Sequence, residues 1–226
     1  MSNETTSGAA SGVVHEHIFE LLREAIISGK FSPGSTISVR KLATEYNVSA
    51  MPAREAIRRL VAIGALEMTD TRRIKLASMS SGKLEEIRIA RLALEPLLAV
   101  KAWEKVRANP RLKKRLVEAM TASDTAMDAA IESGDATSYA RCNSDFHFTL
   151  YRASEAFVLL GLVESLWLQF GPYMRIVIGQ LGTSWLKDDK HKRAIEAIQN
   201  DDPNRLRDAI SADIAEGLAN INQASL

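Results

Sequence analysis

Cysteine occurs once in this 226-residue chain, at Cys142. That excludes an internal disulfide framework and, with no CxxC pair, a cysteine-built zinc site, and it fits a reducing compartment. Long apolar runs are missing too. None approaches the roughly 20 residues that cross a bilayer, and the N-terminal MSNETTSGAASG lacks the basic flank and apolar stretch of an export signal. We therefore expect a cytoplasmic protein with no membrane partner, opening with a flexible arm over residues 1–12. Charge of one sign is scarce as well: 29 Lys and Arg against 28 Asp and Glu leave +1, so the chain as a whole lacks the field of a nucleic-acid binder. The catalytic signatures HExxH, a glycine-rich phosphate loop and a nucleophile elbow are absent. Hydrophobic residues are plentiful at 46%, ample for packed cores in two small domains or one large one.

Charge asymmetry emerges locally. Between Ser38 and Arg59 five basic residues face two acidic ones, in a stretch with helical periodicity. Upstream, Val14, Ile18, Leu21, Leu22, Ala25 and Ile26 mark one buried face of a helix that Gly29 ends, and Pro33 with Gly34 reads as a turn. Ser38 is placed to cap a helix over Val39 to Tyr46, and Ser49 to cap the next one, with Pro52 in its first turn where a missing N–H does no harm. In that third helix Ala53, Ala56, Ile57 and Leu60 form the inward stripe. Ala50, Arg54 and Arg58 lie one turn apart on another face. Leu66 and Met68, then Ile74 and Leu76, alternate with polar neighbours about the turn Thr69 to Arg72, which predicts a hairpin. Three helices and a hairpin make a winged helix-turn-helix over residues 13–78. Its second helix of the motif would enter the major groove of double-stranded DNA, and Arg72, Arg73 and Lys75 on the wing would meet phosphate or minor groove.

The run PGSTISVRKLATEYNVSAMPAREAIRRLVAIGAL resembles the DNA-binding domain of the GntR family of bacterial regulators. The resemblance rests on the Pro-Gly turn, R-x-L-A in the second helix, V-S-x-x-P-x-R-E-A-x-R-R-L in the third and the closing G-x-L. It implies DNA contacts from Arg40, Ser49, Ala50, Met51, Arg54, Arg58, Arg72 and Arg73. Two positions depart from the family: Ala50 stands where an arginine is usual, and Asp70, Thr71 and Arg72 replace a glycine-bearing wing tip.

After a polar linker, Ser78 to Gly82, periodicity predicts helices over Leu84 to Val106, Asn109 to Ser133, Tyr139 to Ala153, Phe157 to Gly179, Trp185 to Gln199 and Asn204 to Asn220. The fold class is mainly α, with residues 79–226 an antiparallel six-helix bundle. Asn143 and His147, at i and i+4, share a helix face; His191 and Asp213 lie on two later helices. Spacing leaves two readings open, convergence on a cation inside the bundle or ordinary hydrogen-bonded core histidines. Arg91 and Arg175 could grip a carboxylate effector as bidentate guanidinium forks, while Arg91 could equally bridge Glu95 along its helix, and Arg175 could be a solvated or interface charge.

Residues 83–222 are similar to the FCD effector domain of the FadR-type branch of the family, through R-x-x-L-E at Arg91 to Glu95, F-H at Phe146 and His147, and H-x-x-A-I-x-A-I from His191. The resemblance implies a homodimer and a divalent metal of the zinc, nickel or manganese class at Asn143, His147, His191 and Asp213. Asn143 stands where the family has an aspartate, and Asp213 where it often has a histidine. The function expected is a DNA-binding regulator, more often a repressor, of a metabolic operon, controlled by a small carboxylate metabolite. The alternatives are a helical-bundle metalloenzyme and a ligand-free DNA-binding adaptor.

Overall fold

A computed structural model of the chain describes residues 5–71, 73–174 and 189–225, with side chains described over 16–71, 73–174 and 189–219. Helix α1 (Thr5–Ile27) buries Ile18, Phe19, Leu22 and Ile26. It starts inside the stretch read from sequence as a flexible arm, and Gly29, at φ 67°, terminates it in the left-handed region that glycine enters freely. A two-residue strand β1 (Thr36–Ile37) follows, too short to carry a period of its own and read from sequence as turn. In α2 (Val39–Glu45), Leu42 turns inward, and the Ser38 hydroxyl accepts from Lys41 N–H at 3.4 Å, the predicted cap. Asn47 makes the turn of the motif at φ 52°, a conformation its short polar side chain tolerates.

Helix α3 (Ala50–Ala62) buries the predicted stripe of Ala53, Ala56, Ile57 and Leu60 against α1 and α2. Ser49 stands at its N-cap with extended backbone but makes no capping hydrogen bond, contrary to expectation. Strands β2 (Leu66–Met68) and β3 (Ile74–Leu76) form the wing, and β1 adds to it in the order β1-β3-β2, antiparallel throughout, with Ile37 opposite Ile74 and Leu66 opposite Leu76.

The linker is shorter than predicted, because Ser80 caps α4 (Ser81–Val106) through Lys83 N–H at 3.2 Å. Pro96 sits inside α4, where burial of Leu98, Ala99 and Ala102 outweighs the one lost backbone bond. Then come α5 (Pro110–Ser133), α6 (Ala136–Arg152), α7 (Phe157–Phe170) with a short 3-10 turn at Gly171–Tyr173, α8 (Lys190–Gln199) and α9 (Pro203–Ser225). The predicted fourth helix thus ends as an α-helix at Phe170, and its extension towards Gly179, like Trp185, lies outside the described residues. Asn109, Asp135 and Asp189 cap α5, α6 and α8. Helix α4 packs along α9, α5 along α6, and α8 joins α9 to α5, which brings α6, α8 and α9 to one interior point.

The two units touch at the end of α1. Tyr173 Oη donates to Ala77 O at 3.2 Å, Arg23 lies 3.7 Å from Glu164, and Gly171 abuts Ile27.

Candidate functional site

On α3, Ala50, Met51, Arg54 and Arg58 face solvent, and Arg40 of α2 and Arg73 of the wing are exposed as well. Ser49 is exposed at the helix start, and Arg72 lies outside the described residues. The arginines of α3 differ in what they already hold. Arg58 forks onto Glu55, Nη2 to Oε1 at 2.9 Å and Nε to Oε2 at 3.0 Å. Arg59 reaches back to α1, 2.7 Å from Glu16 and 3.7 Å above the Phe19 ring, and its hydrogen bond holds the Glu16 carboxyl below its usual range. Among the described residues Arg54 has no ion pair, so its fork is available to a base edge or a phosphate. Lys75, which sequence offered to phosphate, instead bridges Glu67 across the hairpin at 2.9 Å.

The second cluster lies inside the helical unit. His147 from α6, His191 from α8 and Asp213 from α9 converge: His147 Nε2 is 3.1 Å from Asp213 Oδ2, and His191 Nε2 is 3.5 Å from Asp213 Oδ1. Both Nε2 atoms are buried and neither makes a hydrogen bond, despite the nearby carboxylate. Burial lowers the His191 imidazole, which favours its neutral, ligating form. Burial would raise Asp213, but His191, His147 and Arg91 outweigh it and hold the carboxyl well below the usual range. Asn143, one turn before His147, is buried and lines a small cavity that Asp213 also borders. Two orphaned imidazole nitrogens facing an ionised carboxylate are donors that a divalent cation takes, so the residues fit a metal.

The tautomer of His147 follows from its other side. Tyr151 Oη, one turn along α6, lies 3.0 Å from His147 Nδ1 and gives its own proton to Glu95 at 2.8 Å. The phenol therefore accepts from Nδ1–H, so in the neutral imidazole the lone pair is on Nε2, the nitrogen that faces Asp213. Glu95 is fully buried and also accepts from Trp167 Nε1 at 3.1 Å and from Arg91 at 2.5 and 3.1 Å. Sequence offered Glu95 within a motif and as a salt-bridge partner of Arg91, and did not single out Tyr151; its i+4 spacing from His147 was the available signal.

Arg91 lines the small cavity, but its Nε and Nη2 are committed to Glu95 and its guanidinium lies over Phe170 and Trp167. The helix salt bridge, not a free carboxylate fork, is what α4 presents. Arg175 lies outside the described residues. A second acidic group, Asp124 and Asp189 beside His191, escaped the sequence reading; Lys192 Nζ already sits there, 2.6 Å from Asp189 and 3.1 Å from Asp128.

Residues 14–75 match the family described as bacterial regulatory proteins, gntR family, and residues 86–216 match the FCD domain. The HTH-type transcriptional regulator McbR of Escherichia coli K12 is 23% identical over 204 residues, which cover 89% of this chain and 90% of McbR. A Paenarthrobacter nicotinovorans protein described as a probable D-xylose utilization operon transcriptional repressor is 25% identical over 193 residues, covering 84% and 80%. The solved E. coli McbR/YncC structure has a TM-score of 0.82 at 22% identity, covering 93% of this chain and 97% of that one. A GntR regulator from Rhodococcus sp. RHA1 gives 0.69 at 19% identity, covering 94% and 99%; both likenesses show the fold. The metalloenzyme alternative falls, because these domains are those of transcription regulators. The chain belongs to the GntR family of bacterial regulatory proteins and is a DNA-binding transcriptional regulator that joins its helix-turn-helix to an FCD domain.

Proposed function

We propose that this regulator is a repressor of a metabolic operon, working as a homodimer whose two α3 helices enter successive major grooves of a palindromic operator, and that a small organic acid and a divalent cation on the helical domain set its affinity. The carrying observation is the exposed α3 face, where Arg54 has no ion pair among the described residues and Met51 is 72% exposed. A guanidinium fork there matches the O6 and N7 of guanine, and an exposed methionine suits the thymine methyl. With Ala50 offering only a methyl group, base reading falls to Arg54 and Met51, and Arg40 and Arg73 supply phosphate contacts. Repression is supported by the relatives' names, among them the E. coli repressor GlaR, 27% identical over 219 residues.

His147 Nε2, His191 Nε2, the Asp213 carboxylate and Asn143 are the residues that would hold the cation. A divalent ion in that place supplies a link between three helices and an electrophilic anchor for an anion. Glu95 and Tyr151 hold the His147 ring in the tautomer that leaves Nε2 free, and Phe146, 4.4 Å from the His191 ring, keeps water from one side. Footprinting on the DNA upstream of its own gene tests the reading. A protected, two-fold symmetric site whose affinity falls steeply with salt is expected. A protein that protects nothing at low salt would refute it.

A further inference from the structure

Apolar side chains left in water gather on one pair of helices. Among the described residues eight large hydrophobics stand exposed, and five of them, Ile89, Leu97, Phe157, Val158 and Leu162, belong to α4 and α7. The two helices pack alongside each other in opposite directions. Lys105, near the end of α4, bonds Glu155 just before α7 at 2.7 Å, and Glu95, nearer the middle of α4, accepts from Trp167 late in α7 at 3.1 Å. Gly161, between Val158 and Leu162, has open space where a Cβ would stand. Exposed apolar surface gathered in this way marks an interaction face.

On α4 the exposed side is a narrow stripe. Lys83, Glu86, Ala90, Ala93, Leu97 and Glu104 are exposed or half-buried and follow at alternating steps of three and four, with Val100 completing the series. That is the seam by which one long helix meets another. Its middle is apolar and its ends are charged, positive then negative at Lys83 and Glu86, and positive then negative again at Lys101 and Glu104. None of these four has an ion pair among the described residues. A copy of the helix turned end for end about a two-fold axis between Ala93 and Leu94 answers this order. Glu86 then faces the second copy's Lys101 and Lys83 faces its Glu104, each pair occurring twice, while Ala90 meets Leu97 and Ala93 meets Leu94 between them. A parallel copy in register would set every charge against its like.

We propose that α4, flanked by the exposed row of α7, is the face on which a second copy of this chain docks, with the two α4 helices antiparallel about Ala93 and Leu94. The proposal rests on the reading of the chain as a homodimer and names the surface through which it forms. Length supports it. Only residues 77–80 separate β3 from α4, so each winged domain stays near the start of its own α4. In this register the two starts stand about 38 Å apart along the pair, at roughly 1.5 Å per residue. Half-sites one helical turn apart on DNA are separated by roughly 34–36 Å, so the docked pair spaces its two readers for a palindrome.

Sedimentation equilibrium of the full chain over a concentration series tests the surface. Wild type is expected to be a dimer. Glu86→Lys and Lys101→Glu each set like charges together at two places, and each is expected to raise the dimer dissociation constant about tenfold or more. Glu86→Lys/Lys101→Glu brings opposite charges together again and is expected to return to within about threefold of wild type. A folding defect would not be repaired by the second reversal, and melting curves of all three variants verify that they fold. A wild-type dimer indifferent to the single reversals, or weakened by them and not restored by the double one, overturns this surface and spares the homodimer reading. A wild type that stays monomeric at every concentration refutes the homodimer reading and the surface with it.

Discussion

Gly171 and Ile27 meet backbone to backbone across the domain boundary: a Cβ built on Gly171 would stand 2.8 Å from Ile27 Cα and 3.2 Å from its carbonyl oxygen. Only hydrogen fits there. The neighbours of Gly171 in the same turn, Phe170 and Met174, line the small cavity beside Asp213, and Tyr173 holds Ala77 at the end of β3. One turn therefore touches both the DNA-reading domain and the histidine cluster, a mechanical route from ligand to reader that needs no intermediate element.

Replacement by alanine tests that contact. Gly171 has an ordinary helical backbone, φ −50°, so alanine brings no dihedral strain and its effect is steric. Gly171→Ala is expected to cost about 1–3 kcal/mol, as overpacking does, through separation of the domains with each core intact. Thermal unfolding would show a lower midpoint, and limited proteolysis would show faster cutting between the domains near residues 77–80. An unchanged midpoint and unchanged cutting would mean that the close contact does not persist in solution.

Arg54 and Arg59 are five positions apart on α3 and should behave differently. Arg54→Ala is expected to weaken operator binding by about 1–3 kcal/mol and to relax preference at one base pair if it reads a guanine, or to lower the salt slope by about one if it meets phosphate. Arg59 is tied to Glu16 and stacked on Phe19. Its alanine variant should lose stability and leave the salt slope alone. Quantitative mobility shifts across a salt series, with melts of both variants, separate the two; a shared salt slope change would show that Arg59 leaves Glu16 to reach DNA.

Most of the architecture was legible because periodic apolar faces and caps are local signals. Ser38, Asn109, Pro110, Gly134 and the stripe from Ala53 to Leu60 each announce an element within a few residues. Strand β1 was not legible, since two residues carry no period and its pairing with β3 depends on a partner 39 positions away, Thr36 on Lys75. At the histidine cluster the family resemblance supplied the ligand positions, and the three helices do bring His147, His191 and Asp213 together. Outer residues such as Asp124 could not be read, because nothing along the chain says which carboxylate on α5 will face α8. The fate of Arg91 was left open by spacing alone: an i, i+4 glutamate is compatible with a salt bridge on any helix, and burial at 3% exposure decides it here.

Asp124 offers a pH test. Burial first, then Asp189, lifts its carboxyl to about 6, although Lys192 lies 3.8 Å away and pulls the other way. A carboxyl whose folded value exceeds the unfolded one, about 3.9, holds its proton more tightly when folded. Its contribution to stability is therefore full below about pH 4 and is lost as the pH rises through about 6. In chelator-treated protein, Asp124→Asn should melt higher than wild type above about pH 7, with the difference shrinking as pH falls towards about 4. Parallel melting profiles across that window would sink this account of Asp124.

Tyr151 governs the metal reading from outside the ligand set. Its hydroxyl is the acceptor that keeps the proton on His147 Nδ1, because its own proton is given to Glu95. In Tyr151→Phe the ring still fills the space beside Phe148 and His147, but Nδ1 loses its acceptor and the imidazole can turn Nε2–H towards Asp213 as a hydrogen-bond donor. That tautomer has no lone pair for a cation. Affinity for a divalent ion is then expected to fall about 10–100-fold, as outer-sphere losses do. Competition against a chromophoric chelator reads this directly, without DNA or effector. Glu95 still accepts from Arg91 and Trp167, so the metal-free variant should melt close to wild type. Unchanged ion affinity in a folded variant would show that the phenol does not set the tautomer, and the proposed cation site would lose its main support.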